Sequence, residues 1–394
     1  MSSSKNDWIE QPFDEAVIIN PKVTLEKGQQ YPFVEMSILD STSRIVQTSE
    51  LREYKGGGSK FEDGDTLMAR ITPCLENGKI SRYKSESSNL IIGFGSTEFI
   101  VIRGRDGVTD NDFVYYLTSW NEFRNYAIGQ MNGSSGRQRV PTTSLSGFLV
   151  NLPPLPTQKK IASILSSLDD KIEINTRMNK VLEEIARALF HRWFVEFEFP
   201  DAEGRPYKSS GGKMIESEMG LVPEGWEVGT LGDIANITSG KRPLNKESEK
   251  TKDSKIPIIG ASDVMGFTSE ILYHEPILVT GRVGTHGIIQ RSKKPCWPSD
   301  NTLVIVSKWY EFAFQNLLLI NFKNMNRGST QPLITQKDLK QIQIIFPSES
   351  VLNKFELMIS RYFDIIDTNF DQNSALSGVR DVLLPKLMNG EIEL

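Results

Sequence analysis

Five short stretches carry the residues of this chain best suited to chemistry on a polyanion. "GKISRYK" supplies Lys79, Arg82, Tyr83 and Lys84, and "GSSGRQR" supplies Ser134, Ser135, Arg137, Gln138 and Arg139. Farther along, "GRVGTHG" offers Arg282, Thr285 and His286, "RSKK" offers Arg291, Lys293 and Lys294, and "NRGSTQ" offers Arg327, Ser329, Thr330 and Gln331. Arginine and lysine contact phosphates or guanine edges, and glutamine can pair adenine bidentately. The interleaved glycines let the backbone approach a groove. Each such residue taken singly reads equally well as a solvated surface cation. Recurrence of equivalent loops in both halves of the chain is what favours binding.

Residues for making or breaking bonds are missing. "GGGSK" at Gly56–Lys60 lacks the G-x-x-x-x-G-K-[ST] spacing of a phosphate loop and reads as a surface turn. "GFGS" at Gly93 lies between strand-like runs with no helix after it, unlike a cofactor-binding turn. The three histidines, His191, His274 and His286, are scattered and form no metal set. His191 falls in the last turn of a predicted helix, where a cation suits the dipole. The two cysteines, Cys74 and Cys296, have no C-x-x-C spacing, which indicates neither a disulfide framework nor a zinc site and fits a reducing cytoplasm. Carboxylates are plentiful but no motif pairs them. No stretch approaches the ~18 apolar residues of a membrane span, and none resembles a signal segment, so no membrane partner is expected.

The elements that must position these loops are written twice. Asn175, Asn179 and Leu182 each lie 194 positions before Asn369, Asn373 and Leu376. The match extends upstream: "MNGSSGRQRVPTTSLSGFLVNLPP" from Met131 faces "MNRGSTQPLITQKDLKQIQIIFPS" from Met325. Each copy reads as a Gly/Ser-rich loop, a leucine (Leu145 or Leu339), and an alternating strand ending at Pro153 or Pro347. Farther upstream only pattern persists, "GDTLMARITPCLENGKI" against "EPILVTGRVGTHGII" and "STEFIVIRG" against "DNTLVIVSK", which predicts short strands with glycine turns.

After each proline a helix is expected. Spacing of four and three gives a seam of Ile161, Leu165, Leu168, Ile172, Asn175, Asn179, Leu182, Ala186, Leu189 and Trp193 in the first. The second gives Phe355, Ile359, Tyr362, Ile366, Asn369, Asn373, Leu376, Arg380, Leu383 and Leu387. A seam this long predicts a coiled coil. Arg380 breaks it, and Val379 is the expected inward residue there. Asparagines in a seam cost stability but fix register. Their central positions suit antiparallel helices, in which Asn175 and Asn179 meet Asn373 and Asn369. The expected fold is α+β: two α/β lobes at opposite ends of a long antiparallel two-helix coiled coil, related by a pseudo-two-fold. The expected boundaries are 1–153 for lobe one, 154–194 for helix one, 195–229 for a Gly/Ser/Pro-rich linker, 230–347 for lobe two and 348–394 for helix two.

The net charge of −5 hides an uneven distribution. Between Thr230 and Pro347 there are 15 Lys+Arg against 10 Asp+Glu, a local excess of +5 that leaves −10 for the remainder. A basic lobe carried on acidic helices suits a polyanionic partner. Lobe one does not share the excess.

Nearly the whole chain resembles the specificity subunits of type I restriction–modification enzymes. The resemblance is carried by "LPPLPTQKKIASILSSLDDKIEINTRMNKVLEEIARALFHRWF" from Leu152, "VPEGWEVGTLGDI" from Val222, the Gly-Ser loop before each helix, and "LLPKLMNGEIEL" from Leu383. The family usually carries Glu-Gln after the double proline where this chain has Thr157-Gln158, and the second copy replaces the signature with "FPSESVLNKF". The resemblance implies two target recognition domains, each reading half of a split site in double-stranded DNA, with the helices setting the spacer. It implies two adenine-N6 methyltransferase (M) subunits docked on the helices and ATP-driven restriction/translocase (R) subunits. S-adenosylmethionine, ATP and Mg would sit on those partners and no cofactor on this non-catalytic chain. It transfers no base-contacting residue. The rival readings are a stand-alone adenine-specific DNA methyltransferase, which would need its own cofactor motifs, and a coiled-coil scaffold binding protein or sugar.

Overall fold

Alternating and continuous apolar runs dictate short strands, and the two long heptad stretches dictate helices. A computed structural model describes residues 7–86, 90–134, 136–283, 287–322 and 333–394. It divides into two compact units, Met1–Arg177 with Asn369–Leu394, and Met178–Thr368. The division cuts across both long helices, so each unit holds one lobe with part of each helix.

In the first unit a five-stranded sheet runs in the order Val17–Ile19, Phe99–Gly104, Thr66–Ala69, Ile80–Tyr83, Ile45–Val46. "TLMA" is buried at every position because the sheet is covered on both faces. One face packs Met68, Ile100 and Ile102 under the helix Asn111–Ser119 and against Ile161, Leu165 and Leu387. The other packs Leu67, Tyr83, Phe99 and Val101 with Val34 and Phe61. Asp110 caps the Asn111–Ser119 helix, accepting from the amides of Asp112 and Phe113.

In the second unit a four-stranded sheet runs in the order Ala235–Ser239, Thr302–Ser307, Ile277–Gly281, Ile289–Ser292, with the helix Tyr310–Leu319 following. The register matches lobe one: Phe99 faces Ala69 as Thr302 faces Gly281. Each lobe is closed by an antiparallel pair of its first and last strands, Ile9–Pro12 with Leu149–Leu152 and Glu227–Thr230 with Gln343–Phe346.

The long helices are Leu155–Phe190, 36 residues, and Glu349–Met388, 40 residues. In the first unit they run antiparallel: Asn175 Nδ2 donates to Asn373 Oδ1 at 2.8 Å, and Arg380 Nη1 to Asp169 Oδ1 at 2.8 Å, so rising numbers meet falling ones. In the second unit Leu182, Ala186 and Phe190 share a core with Phe355, Ile359, Phe363 and Ile366. The seam differs from expectation at its flaw. Val379 is 49 % exposed, and Arg380 turns inward to Asp169, itself 3 % exposed. An acid beside the facing seam makes the arginine the better-satisfied occupant.

The stretch expected to link the halves is packed. Phe197, Phe199 and Trp226 are buried in the second unit's core, Phe199 stacks on Tyr207 at 4.6 Å and Trp226 at 4.7 Å, and Met214–Ser217 pairs with Gly220–Pro223. Its aromatic rings outweigh its glycines and serines, since each ring buries a large apolar area. No helix among the described residues is long and apolar enough to cross a membrane.

Candidate nucleic-acid interface

The candidate residues divide into two groups. "GKISRYK" forms a sheet strand rather than a free loop. Tyr83 is 1 % exposed, lies 4.7 Å from the ring of Phe61, and has its hydroxyl pushed up to about 12 by burial. It fills the core and offers no face for stacking. Arg82 pairs with Asp112 in the first turn of the lobe helix, and Lys79 Nζ donates to the Met36 carbonyl at 3.0 Å. Lys84 is exposed while its backbone amide bonds Val46.

"RSKK" begins in the corresponding strand of lobe two, Ile289–Ser292, and runs past its end. Arg291 pairs with Glu311 at 2.6 Å and lies over the Phe363 ring at 3.5 Å. Lys293 reaches Asp364 at 2.8 Å and Asp367 at 3.7 Å, and Lys294 is exposed. Arg291 and Lys293 thus fasten lobe two to helix two. The sequence reading missed the counterpart in lobe one: Arg44 bonds Asp170 and, at 3.1 Å, Glu173. Asp170 and Glu173 lie 194 positions before Asp364 and Asp367, so both lobes are fastened at equivalent helix positions. The acid spacing on each helix was the available signal.

A second fastening repeats. Gln158 accepts from the Asp110 amide at 2.9 Å and donates to the carbonyls of Val108 at 2.9 Å and Pro153 at 2.8 Å. Glu356 accepts from the amides of Glu311 at 3.1 Å and Phe312 at 2.8 Å, at the start of lobe two's helix. Burial pushes Glu356 up to about 7 despite those two donors.

The other group stays at the surface. The loop from Asn132 to Arg139 is closed by paired backbone bonds between those two residues, at 2.9 and 3.1 Å. Arg139 is held by Glu98 at 2.6 Å, while Ser134 and Arg137 are exposed and Gln138 half-buried. In lobe two Arg282 lines an open groove with Ser239, Gln336, Lys337 and Lys340, and no carboxylate is among the described lining residues. Ser135, Thr285, His286, Arg327, Ser329, Thr330 and Gln331 lie outside the described residues. Asn175, Asn179 and Asn369 are buried and Asn373 half-buried. No group of three His, Cys, Asp or Glu able to hold a metal occurs among the described residues.

Paired lobes of one strand order, each docked on long helices, define a class that comparison with known proteins identifies. A family model described as the type I restriction modification DNA specificity domain matches residues 16–184 and 223–370, and the chain belongs to that family. It is 26 % identical to the HindI specificity subunit of Haemophilus influenzae, over 90 % of this chain and 92 % of that one. It is also 26 % identical to the MjaIX specificity subunit of Methanocaldococcus jannaschii, over 74 % and 71 % respectively. In fold it is similar to the crystal structure of a type I restriction–modification S subunit from M. genitalium, with a TM-score of 0.60 at 16 % identity over 96 % of both chains. The chain is a DNA specificity subunit of a type I restriction–modification system, the non-catalytic recognition component.

Proposed function

We propose that this chain reads a bipartite target in double-stranded DNA, one lobe per half-site, with the two long helices setting the unread spacer. The observation that carries this reading is the repetition of one lobe plan, in the same strand register, on antiparallel helices. A first long helix of 36 residues is about 54 Å long, on the order of 15 base pairs of duplex.

The helices also carry apolar side chains that nothing within their own unit covers. Ile174, Phe370, Val379 and Val382 are exposed in the first unit, and Met178, Val181, Leu357 and Ile365 in the second. Such surface suits protein partners, here two methyltransferase subunits, with restriction/translocase subunits joining the full complex. The partners would hold S-adenosylmethionine, ATP and Mg, and the assembly would work in the cytoplasm.

Co-expression with the cognate methyltransferase, followed by single-molecule sequencing of modified adenines, tests the reading. The expected map is two short sequences at one fixed separation. A continuous target, or methyl transfer by the isolated chain, overturns it.

A further inference from the structure

We propose that Arg70 and Arg282 are the matched DNA-reading arginines of the two lobes, each set in a basic groove that takes one half-site. This rests on the bipartite reading above and assigns the side chains that carry it out.

The two arginines occupy one structural position. Each directly follows a central sheet strand, Thr66–Ala69 or Ile277–Gly281. The Arg70 amide donates to the Glu98 carbonyl at 2.9 Å, and its own carbonyl accepts from Val140 at 2.9 Å. The Arg282 amide donates to the Asn301 carbonyl at 2.8 Å, and its carbonyl accepts from Ile334 at 3.0 Å. Val140 and Ile334 are 194 positions apart, the offset of the helices. Glu98 and Asn301 each directly precede the strand beside the arginine's own, Phe99–Gly104 or Thr302–Ser307. The two lobes have diverged almost everywhere else in side chain, yet both hold arginine here.

Each arginine lines a groove at the same corner of its sheet. In lobe one the lining includes Asn20, Lys22, Ser59 and Lys60, and in lobe two Ser239, Gln336, Lys337 and Lys340. The end of the first sheet strand reaches both grooves, at Asn20 just past it in lobe one and at its last residue Ser239 in lobe two, with Ile19 facing Ile102 as Ile237 faces Ile305. Among the described residues no carboxylate lines either groove: Glu98, next in sequence to the first groove, is committed to Arg139, and Asp338, next to Lys337, accepts from Thr335.

What sets the pair apart is the absence of any partner for the guanidinium among the described residues. Other half-buried arginines of the lobes have partners: Arg44 with Asp170 and Glu173, Arg82 with Asp112, Arg103 with Asp65, Arg291 with Glu311, and Arg124 with the side-chain oxygen of Asn121. Arg70 and Arg282 are half-buried too, yet neither guanidinium has an ion-pair or hydrogen-bond partner among the described residues, and Arg70 Nε is buried without one. Half-burying a cation without an anion costs free energy that a bound polyanion returns. A guanidinium rooted in a sheet by both backbone groups is fixed enough to present its fork to guanine O6 and N7. The lysines around it, on flexible stems, suit phosphates.

The test uses the full chain with its cognate methyltransferase, assayed by competition binding to duplexes altered in one half-site at a time and by the map of modified adenines. Arg70→Ala should lower discrimination at one half-site by roughly 5- to 150-fold and leave the other untouched, with Arg282→Ala doing the reverse. Arg70→Lys and Arg282→Lys, which keep the charge and the fold, should keep most affinity but lose discrimination. Lys60→Ala and Lys337→Ala should weaken all sequences alike and reduce the salt slope by about one. A wild type that reads a bipartite target, with lysine variants that discriminate as it does, overturns the assignment and leaves the bipartite reading standing. A wild type that reads no bipartite target overturns both.

Discussion

Asp169 and Arg380 join the two long helices through an ion pair of 2.8 Å, and Tyr116 of lobe one donates its hydroxyl to the same carboxylate at 2.7 Å. Burial first, and the Asp169 charge second, push the Tyr116 hydroxyl up, so it stays a neutral donor. Three elements of the first unit meet at one acid. Asp169→Ala leaves the half-buried Arg380 only its exposed neighbour Asp381 and should cost about 2–3 kcal/mol, whereas Asp169→Leu with Arg380→Met should be close to neutral. Tyr116→Phe should cost about 1–2 kcal/mol. Thermal and denaturant melts of the three variants check the order.

Glu356 gives the second unit a pH dependence of known sign. Its folded value of about 7 lies above the ordinary 4.5, so the folded state holds the proton more tightly than the unfolded one. The stability it contributes is whole below about pH 4.5 and is lost as pH rises through 7. Glu356→Gln imitates the protonated form. The variant should lie within about 1 kcal/mol of the wild type at pH 5 and exceed it at pH 8, by up to about 3 kcal/mol. Melting curves at the two pH values decide it, and equal gaps at both would remove Glu356 as the cause.

The asparagine seam predicts a trade of stability against register. Asn175 bonds Asn373 at 2.8 Å and Gln372 at 2.7 Å, and Asn179 and Asn369 are buried near them in sequence. Changing all four asparagines to leucine should keep or raise the melting temperature while producing self-association or mixed registers. Light scattering and the DNA target report the outcome, and a monodisperse variant with an unchanged target would count against a register role.

One heptad inserted after Leu182 and another after Leu376 keeps the seam in phase and lengthens each helix by ~10 Å, or roughly three base pairs. The half-sites should stay the same while the spacer grows by about that amount. The added twist, near a third of a DNA turn, should lower activity. An active variant with an unaltered spacer shows that the helices do not measure DNA.

Much of the frame was legible because a heptad seam and a fixed offset survive in the letters. What was lost depended on facing partners. Arg380 read as a flaw because its acid lies on the other helix, visible only once the register of Asn175 with Asn373 is set. Lys293 and Arg82 read as DNA contacts because a cation in or beside a strand looks the same whether it meets phosphate or a carboxylate such as Asp364 or Asp112. Arg70 went unnoticed at the end of an apolar strand, "TLMAR", where nothing local marks a missing counter-ion.

The first unit needs Asn369–Leu394 to close around Ile161, Leu165 and Asp169. Arg380 leaves the ribosome 211 residues after the aspartate it neutralises. At about 5–20 residues per second that is a wait of roughly 10–40 seconds. Through it, one side of the first helix has neither its apolar cover nor its counter-ion, while the second unit becomes complete at Thr368. The lobe translated earlier is therefore the one that matures later. A nascent chain stalled just past Thr368 would display a finished second lobe and an unfinished first, and a frameshift there would injure the recognition module encoded upstream.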